Sequence, residues 1–198
     1  MARFPRHIGL LLAAGWSTRF NGDKRLAGAT PLLMQTYAVM KEHFDLVVVV
    51  HRHHDEMIKS LFIDQKAELV AAPNDDISLG TSISVGSQYV NHKYCDSYLS
   101  ISVCLADMPN IKDDSYRSIL SMAQKNKIVR PNINGCFGHP VCFGSSYLNA
   151  LCLLTGEKGA SSVIKKNRAN LMTVEVDDIG ILFDIDTPED LQEWQRTE

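Results

Sequence analysis

The stretch Ile8-Gly-Leu-Leu-Leu-Ala-Ala-Gly-Trp-Ser-Thr-Arg-Phe-Asn-Gly-Asp-Lys24 decides the fold. Residues 8–13 form a continuous apolar run that gives way to a loop at Gly15. A run of that length without polar alternation reads as a strand buried on both faces. The loop that leaves it, residues 14–24, carries small residues, Gly15, Gly22 and two cations, Arg19 and Lys24. Inward-turned backbone N–H groups flanked by cations suit a polyphosphate. The spacing is neither a Walker loop nor a G-x-G-x-x-G fingerprint. On residues alone, a solvated loop with idle cations competes on even terms.

Outward from this stretch the chain alternates. Strand-like runs recur at 45–50, 68–72, 98–105, 141–143 and 171–176. Helical patterns fall at 31–43, 55–62, 78–90, 113–125, 145–154, 160–167 and 188–196, the last opened by Thr187 as cap and Pro188 in its first turn. This alternation predicts a single α/β domain over residues 1–198, a three-layer α/β/α Rossmann-like arrangement around a mostly parallel sheet. Such sheets bind ligands at the carboxyl ends of their strands. The loops to inspect are therefore 14–24, 51–54, 73–80, 106–110 and the stretch around 184–186.

Asp107 stands at the end of a buried run, before Pro109. A buried carboxylate needs a partner, and a metal ion would serve, although an Asp before Pro is also a common turn former. Asp184 and Asp186, two apart, would share one face of an extended segment, or merely lead into a helix. Ser78-Leu-Gly-Thr-Ser-Ile-Ser84 opens a helix whose amides and hydroxyls would suit an anion or a nucleoside, or simply cap it. His51-Arg-His-His54 has no known ligand spacing and reads as a solvated loop. Trp16 and Trp194 read as packing residues.

The first loop, Leu-Ala-Ala-Gly-x-Ser-x-Arg-Phe-x-Gly-Asp-Lys, resembles the signature of the MobA-like nucleotidyltransferase family. That family includes the molybdenum cofactor cytidylyl- and guanylyltransferases. Leu105-Ala-Asp-Met-Pro109 and Asp184-Ile-Asp-Thr-Pro-Glu-Asp190 resemble its later motifs, in the same order. The resemblance runs from Ile8 to Leu191 and implies the nucleotide-diphospho-sugar transferase type of fold. It implies nucleotide binding by Leu12, Ala13, Ala14, Gly15, Ser17, Arg19, Lys24, Gly80, Ser84 and Asp107. It gives Lys24, Arg19 and Asp107 the catalytic roles, and Asp107 and Asp186 a Mg²⁺ ion, with Asp184 second to Asp186. Gly138-His139-Pro140 is similar to a segment of the cytidylyl branch and implies acceptor binding by His139 and Pro140. Ala14, where the guanylyl branch carries Gly, favours CTP, since its methyl would narrow the base pocket. The implied reaction transfers CMP from CTP to the phosphate of a molybdopterin-type acceptor and releases pyrophosphate, with a guanylyltransferase or a sugar-phosphate nucleotidyltransferase of the same fold as the alternative. The implied partner is a molybdenum hydroxylase or its maturation factor. Asn21 for Gly and Glu157 for Asp depart from the family pattern, and the second leaves that residue's role open.

Composition agrees with an ordinary folded domain. Of 198 residues, 45% are hydrophobic, and 20 basic against 23 acidic residues leave a net charge of −3. That excludes a disordered tail and gives no basic footprint for nucleic acid. No apolar run reaches the ~18 residues of a membrane span. The five cysteines form no Cys-x-x-Cys pair, so reduced thiols packed in or near the core and a cytoplasmic setting are expected. A dinucleotide-dependent oxidoreductase and a non-catalytic nucleotide binder remain the rival classes. The first lacks its glycine fingerprint and ribose carboxylate. Lys24, Asp107 and Asp186 speak against the second.

Overall fold

The computed structural model describes residues 6–95 and 97–196; the basic start of the chain, residues 1–5, lies outside them. Strand β1, His7–Ala13, is buried along nearly its whole length. Its side chains divide between two cores: Ile8, Leu10 and Leu12 belong to one, Leu11 and Ala13 to the other. That division is why the run shows no polar alternation. β2, Leu46–His51, repeats the device with Val48 and Val50 on one side and Val47 and Val49 on the other.

Helices cover both faces. α1, Leu32–Met40, α2, Glu56–Leu61, and α4, Asp113–Ser121, send Leu33, Tyr37, Ile58 and Tyr116 into one core. α3, Leu79–Tyr94, and α5, Leu148–Cys152, send Ile83, Val90, Leu148 and Leu151 into the other. α3 lies close on β1 and β2 because Gly86 leaves room: a Cβ there would sit 2.2 Å from Leu10 Cδ1. α6, Ser161–Lys166, and α7, Pro188–Gln195, complete the helices.

The eight-stranded sheet has the order β3-β2-β1-β4-β7-β5-β6, with β8 added on β5. β3, Ala67–Ala71, β2, β1 and β4, Ser100–Leu105, are parallel. β7, Val141–Gly144, is antiparallel to both β4 and β5, Ile128–Ile133. β6, Cys136–Phe137, hairpins onto β5, and β8, Leu171–Glu175, runs parallel to it. The mostly parallel three-layer arrangement matches the expectation.

Three expectations need correction. The sequence suggests no strand at 128–133, where Arg130-Pro131-Asn132 reads as loop; the structure forms β5 there, flanked by β7, β6 and β8. The helical pattern at 145–154 splits into a 3₁₀ turn at Ser145–Tyr147 and α5. All five thiols are unpaired, but only Cys104 and Cys142 are buried; Cys95 and Cys136 are exposed, so the packed-core expectation fails for those two. Among the described residues, no helix is long and apolar enough to cross a membrane.

Candidate active site

The carboxyl ends of β1 and β4 open into a cleft of about 370 Å³. Leu12, Ala13, Gly15, Ser17, Thr18, Arg19 and Lys24 line one side; Ala106, Asp107, Glu157 and Asp186 line the other. Each wall is built locally. After Ala13 the chain leaves the sheet, with Ser17 at φ 55°, Asn21 at φ 22° and Gly22 at φ 138°. Asn21 thus adopts the left-handed angle that Asn tolerates better than most residues. Ser17 Oγ is buried without a hydrogen-bond partner.

The loop is held by two guanidiniums, of which Arg25 also lines the cleft. Arg25 is 4% exposed. It donates to the Ala13 carbonyl at 2.7 Å and pairs with Asp23 and Asp55, each at 2.5 Å. Arg52 donates to the carbonyls of Ala14, at 3.2 Å, and Gly15. It also pairs with Asp23 and stacks on the Trp16 ring, 4.6 Å from its centroid. Three successive carbonyls are thereby held by guanidiniums. Burial pushes the Asp23 carboxyl up, but Arg25 and Arg52 outweigh it and hold it below the usual range. The 51–54 loop is therefore an anchor at Arg52, not a free solvated turn. Trp16, 62% exposed, is no core residue, whereas Trp194 is buried.

On the opposite wall, the Thr36 hydroxyl donates to the Ala106 carbonyl at 3.0 Å and the Ile185 N–H donates to the Asp107 carbonyl at 2.9 Å. These bonds fix the turn after β4 and bring the 184–186 segment beside it. Asp186 then leads into α7, where Thr187 and Asp190 close a reciprocal capping box.

Lys24 joins the two walls. Its Nζ donates to Asp107 Oδ2 at 2.6 Å and to Asp186 Oδ1 at 2.8 Å. Arg19 Nη2 reaches Asp186 Oδ2 at 2.5 Å. Burial alone would lower the Lys24 ammonium; the two carboxylates outweigh it and hold it above its ordinary value. Asp107, Asp184 and Asp186 each present a carboxylate oxygen, all within 4.8 Å of one another. Burial, together with the charges of Asp186 and Asp107, raises the Asp184 carboxyl. Asp107 Oδ1 is buried and has no hydrogen-bond partner. Converging carboxylates with an orphaned buried oxygen fit a hard divalent cation.

Arg19, Lys24, Asp107 and Asp186, named from sequence, thus meet in one place together with Leu12, Ala13, Gly15 and Ser17. Ala14, Gly80 and Ser84 are not on this cleft wall. Ala14 is 1% exposed, its methyl in the core. Gly80 packs against the 155–156 backbone, its N–H donating to the Gly156 carbonyl at 2.8 Å. The Ser84 hydroxyl is spent on the Cys152 carbonyl. His139 lies in a neighbouring cavity, joined to Pro140 by a cis peptide bond. Sequence reasoning missed Arg25 and Arg52, whose contacts are made through space. Glu157 on the wall was left without a role; its placement beside the Gly156 turn was the available signal.

A cleft at the carboxyl ends of two inner parallel strands, with two cations facing a carboxylate cluster, is a setting in which an α/β enzyme can hold a polyphosphate. The chain belongs to the MobA-like NTP transferase family, whose sequence signature matches residues 9–171, and is a nucleotidyltransferase. No curated protein sequence matches it. Its fold is similar to that of Rv0371c from Mycobacterium tuberculosis, at 21% identity and TM-score 0.82, covering 98% of this chain and 100% of that one. A structure of Rv0371c in complex with manganese is also similar. A nucleotidyl transferase from Methanothermobacter is 18% identical at TM-score 0.78, covering 98% and 99%. Molybdopterin-guanine dinucleotide biosynthesis protein A from Archaeoglobus fulgidus is 16% identical at TM-score 0.67, covering 96% and 97%.

Proposed function

We propose that the enzyme transfers CMP from CTP to the phosphate of a molybdopterin-type acceptor, releasing pyrophosphate. The observation that carries nucleotidyl transfer at this cleft is Lys24, held between Asp107 and Asp186 at the foot of the loop. The triphosphate lies over residues 14–24, where Arg19 and Lys24 meet its oxygens. Asp107 and Asp186, with Asp184 beside them, would hold a divalent cation, proposed to be Mg²⁺. When bound, it would neutralise charge on the phosphate oxygens. An acceptor phosphate oxygen attacks the α-phosphorus in line; the new P–O bond forms as the bond to pyrophosphate breaks, and pyrophosphate leaves with the electron pair. A phosphomonoester has its second pKa near 6, so the nucleophile is largely ionised at pH 7 and needs no general base. Lys24 and Arg19 stabilise charge that grows on the α-phosphate and the leaving group.

CTP and the acceptor rest on the Leu12–Gly15 and Gly138–Pro140 resemblances. The buried Ala14 methyl lends CTP no direct steric support. The test is a melting panel with CTP, GTP, ATP and UTP, each with and without Mg²⁺. A ligand at 100 times its dissociation constant adds about 2.7 kcal/mol. At this size that is a rise of roughly 5–10 °C. A magnesium-dependent rise with CTP alone is expected, followed by pyrophosphate release on adding molybdopterin. A GTP preference refutes the cytidylyl assignment.

A further inference from the structure

The carboxylates that would hold the cation already hold positive charge. Lys24 Nζ sits 2.6 Å from Asp107 Oδ2 and 2.8 Å from Asp186 Oδ1. Arg19 Nη2 takes the other oxygen of Asp186, at 2.5 Å. The remaining oxygen of this pair, Asp107 Oδ1, is buried without a hydrogen-bond partner. The third carboxylate, Asp184, is exposed and presents an oxygen within 4.8 Å of the others. An ammonium and a divalent cation thus claim the same few ångströms, where like charges repel. The two protein cations are not equal. The Lys24 side chain is 13% exposed and that of Arg19 69%, so solvent screens Arg19 far more. Both walls are anchored. Lys24 opens a 3₁₀ turn, Lys24–Leu26, capped by Asp23, whose carboxylate is paired with Arg25 and Arg52. Asp186 is tied to α7, its N–H donating to Asp190 Oδ2 at 3.0 Å. What can yield is the flexible stem of Lys24.

We infer that Lys24 stands in for the divalent cation at Asp107 and Asp186, with Arg19 as its weaker helper, and so couples metal binding to triphosphate binding. The inference rests on the nucleotidyl-transfer reading above and links its two ligands. Without triphosphate, three carboxylates face two protein cations, and one net negative charge is left to attract a metal. When Lys24 and Arg19 give their charge to phosphate oxygens, the carboxylates recover theirs and bind a hard divalent cation more tightly. The link is reciprocal, since whatever factor the triphosphate adds to metal affinity the metal adds to triphosphate affinity. A metal touching phosphate would couple the two by itself. The share owed to Lys24 is the share that disappears with its charge.

The test is calorimetric titration of the whole protein with two probes, Mn²⁺ alone and Mn²⁺ premixed with inorganic tripolyphosphate. Lys24→Met, which keeps the apolar stem and removes the charge, should bind Mn²⁺ alone at least tenfold tighter than the parent. The same variant should bind the premixed complex within threefold of the parent, because freed carboxylates offset the lost contact to phosphate. Lys24→Arg keeps the charge and should leave Mn²⁺ alone within threefold. Arg19→Met, at an exposed position, should tighten Mn²⁺ alone about twofold, and it carries the test if Lys24→Met does not fold. A lysine that merely braces the two walls predicts the opposite sign, weaker metal binding once it is removed. Mn²⁺ bound no tighter by Lys24→Met, or tightened equally by Lys24→Arg, overturns the stand-in role alone. If neither probe binds the parent or any variant, the cation site at Asp107 and Asp186 falls, and this inference with it.

Discussion

Lys24 is placed to act on charge that develops during reaction, because its ammonium is fixed by two carboxylates before any substrate arrives. Lys24→Ala should lower kcat by about 10²–10³ with a much smaller change in KM for the triphosphate, by analogy with loss of a single preorganised donor. Steady-state kinetics separates the two, and equal losses in both would remove its transition-state role. Asp107→Asn should abolish metal-dependent turnover in the same assay. Arg52 acts at one remove, through the carbonyls of Ala14 and Gly15. A lysine keeps the charge but cannot fork to two carbonyls. Arg52→Lys should therefore raise KM several-fold and leave kcat within about threefold. Arg19 and Lys24 were legible in the sequence because they lie in the glycine-bearing loop that leaves β1, and Asp107 and Asp186 because each stands two residues before a proline, Pro109 or Pro188. Arg52 was not, since nothing in its neighbours foretells a reach of 37 residues back to Gly15. Gly80 and Ser84 were named because the start of a helix looks the same whether it faces a ligand or another loop; the structure turns both toward the 152–156 backbone.

At the scale of elements, the parallel half of the sheet was readable from its doubly buried runs, and β5 was not. β5 carries Arg130, Pro131 and Asn132, residue types that weaken a strand reading. Its hydrogen bonds come from the adjoining hairpin strand β6 and from β7 and β8 further along the chain, and the pairing with β8 is one that no local pattern reveals. α3 extends to Tyr94, past the apolar stripe that ends at Val90, with Cys95 closing it at φ 25°. Its seat on the sheet is tight at Gly86. Gly86→Ala should cost about 1–3 kcal/mol by overpacking against Leu10 and Val50, a loss readable in urea denaturation. Thr187→Ala removes half of the α7 capping box and should cost about 1 kcal/mol. Because α7 follows Asp186, the same variant should weaken metal-dependent activity more than its stability loss explains.

At the scale of the whole molecule, the proposed cation at Asp107, Asp184 and Asp186 should tie stability to metal. Millimolar magnesium should raise the melting temperature of the protein without nucleotide, and Asp186→Asn should blunt the rise, as differential scanning calorimetry would show. The acid limb has a different origin. Asp23 is held below the ordinary carboxylate value by Arg25 and Arg52 against the push of burial. A depressed carboxyl contributes stability above its unfolded pKa of about 4 that is lost as pH falls through the folded value. Melting temperature should therefore fall less steeply below pH 4 in Asp23→Asn than in the parent.

The bond from Lys24 to Asp186 spans 162 residues of chain. A polypeptide is made in one direction, at about 5–20 residues per second, so the second partner follows the first by roughly ten to thirty seconds. Throughout that interval the emerging chain has its glycine loop and its lysine but no second wall to complete the cleft. A ribosome-bound nascent chain stalled before residue 184 should therefore fail to hold a triphosphate that the finished protein retains, making occupancy of the cleft a signal that synthesis has passed its last functional residue.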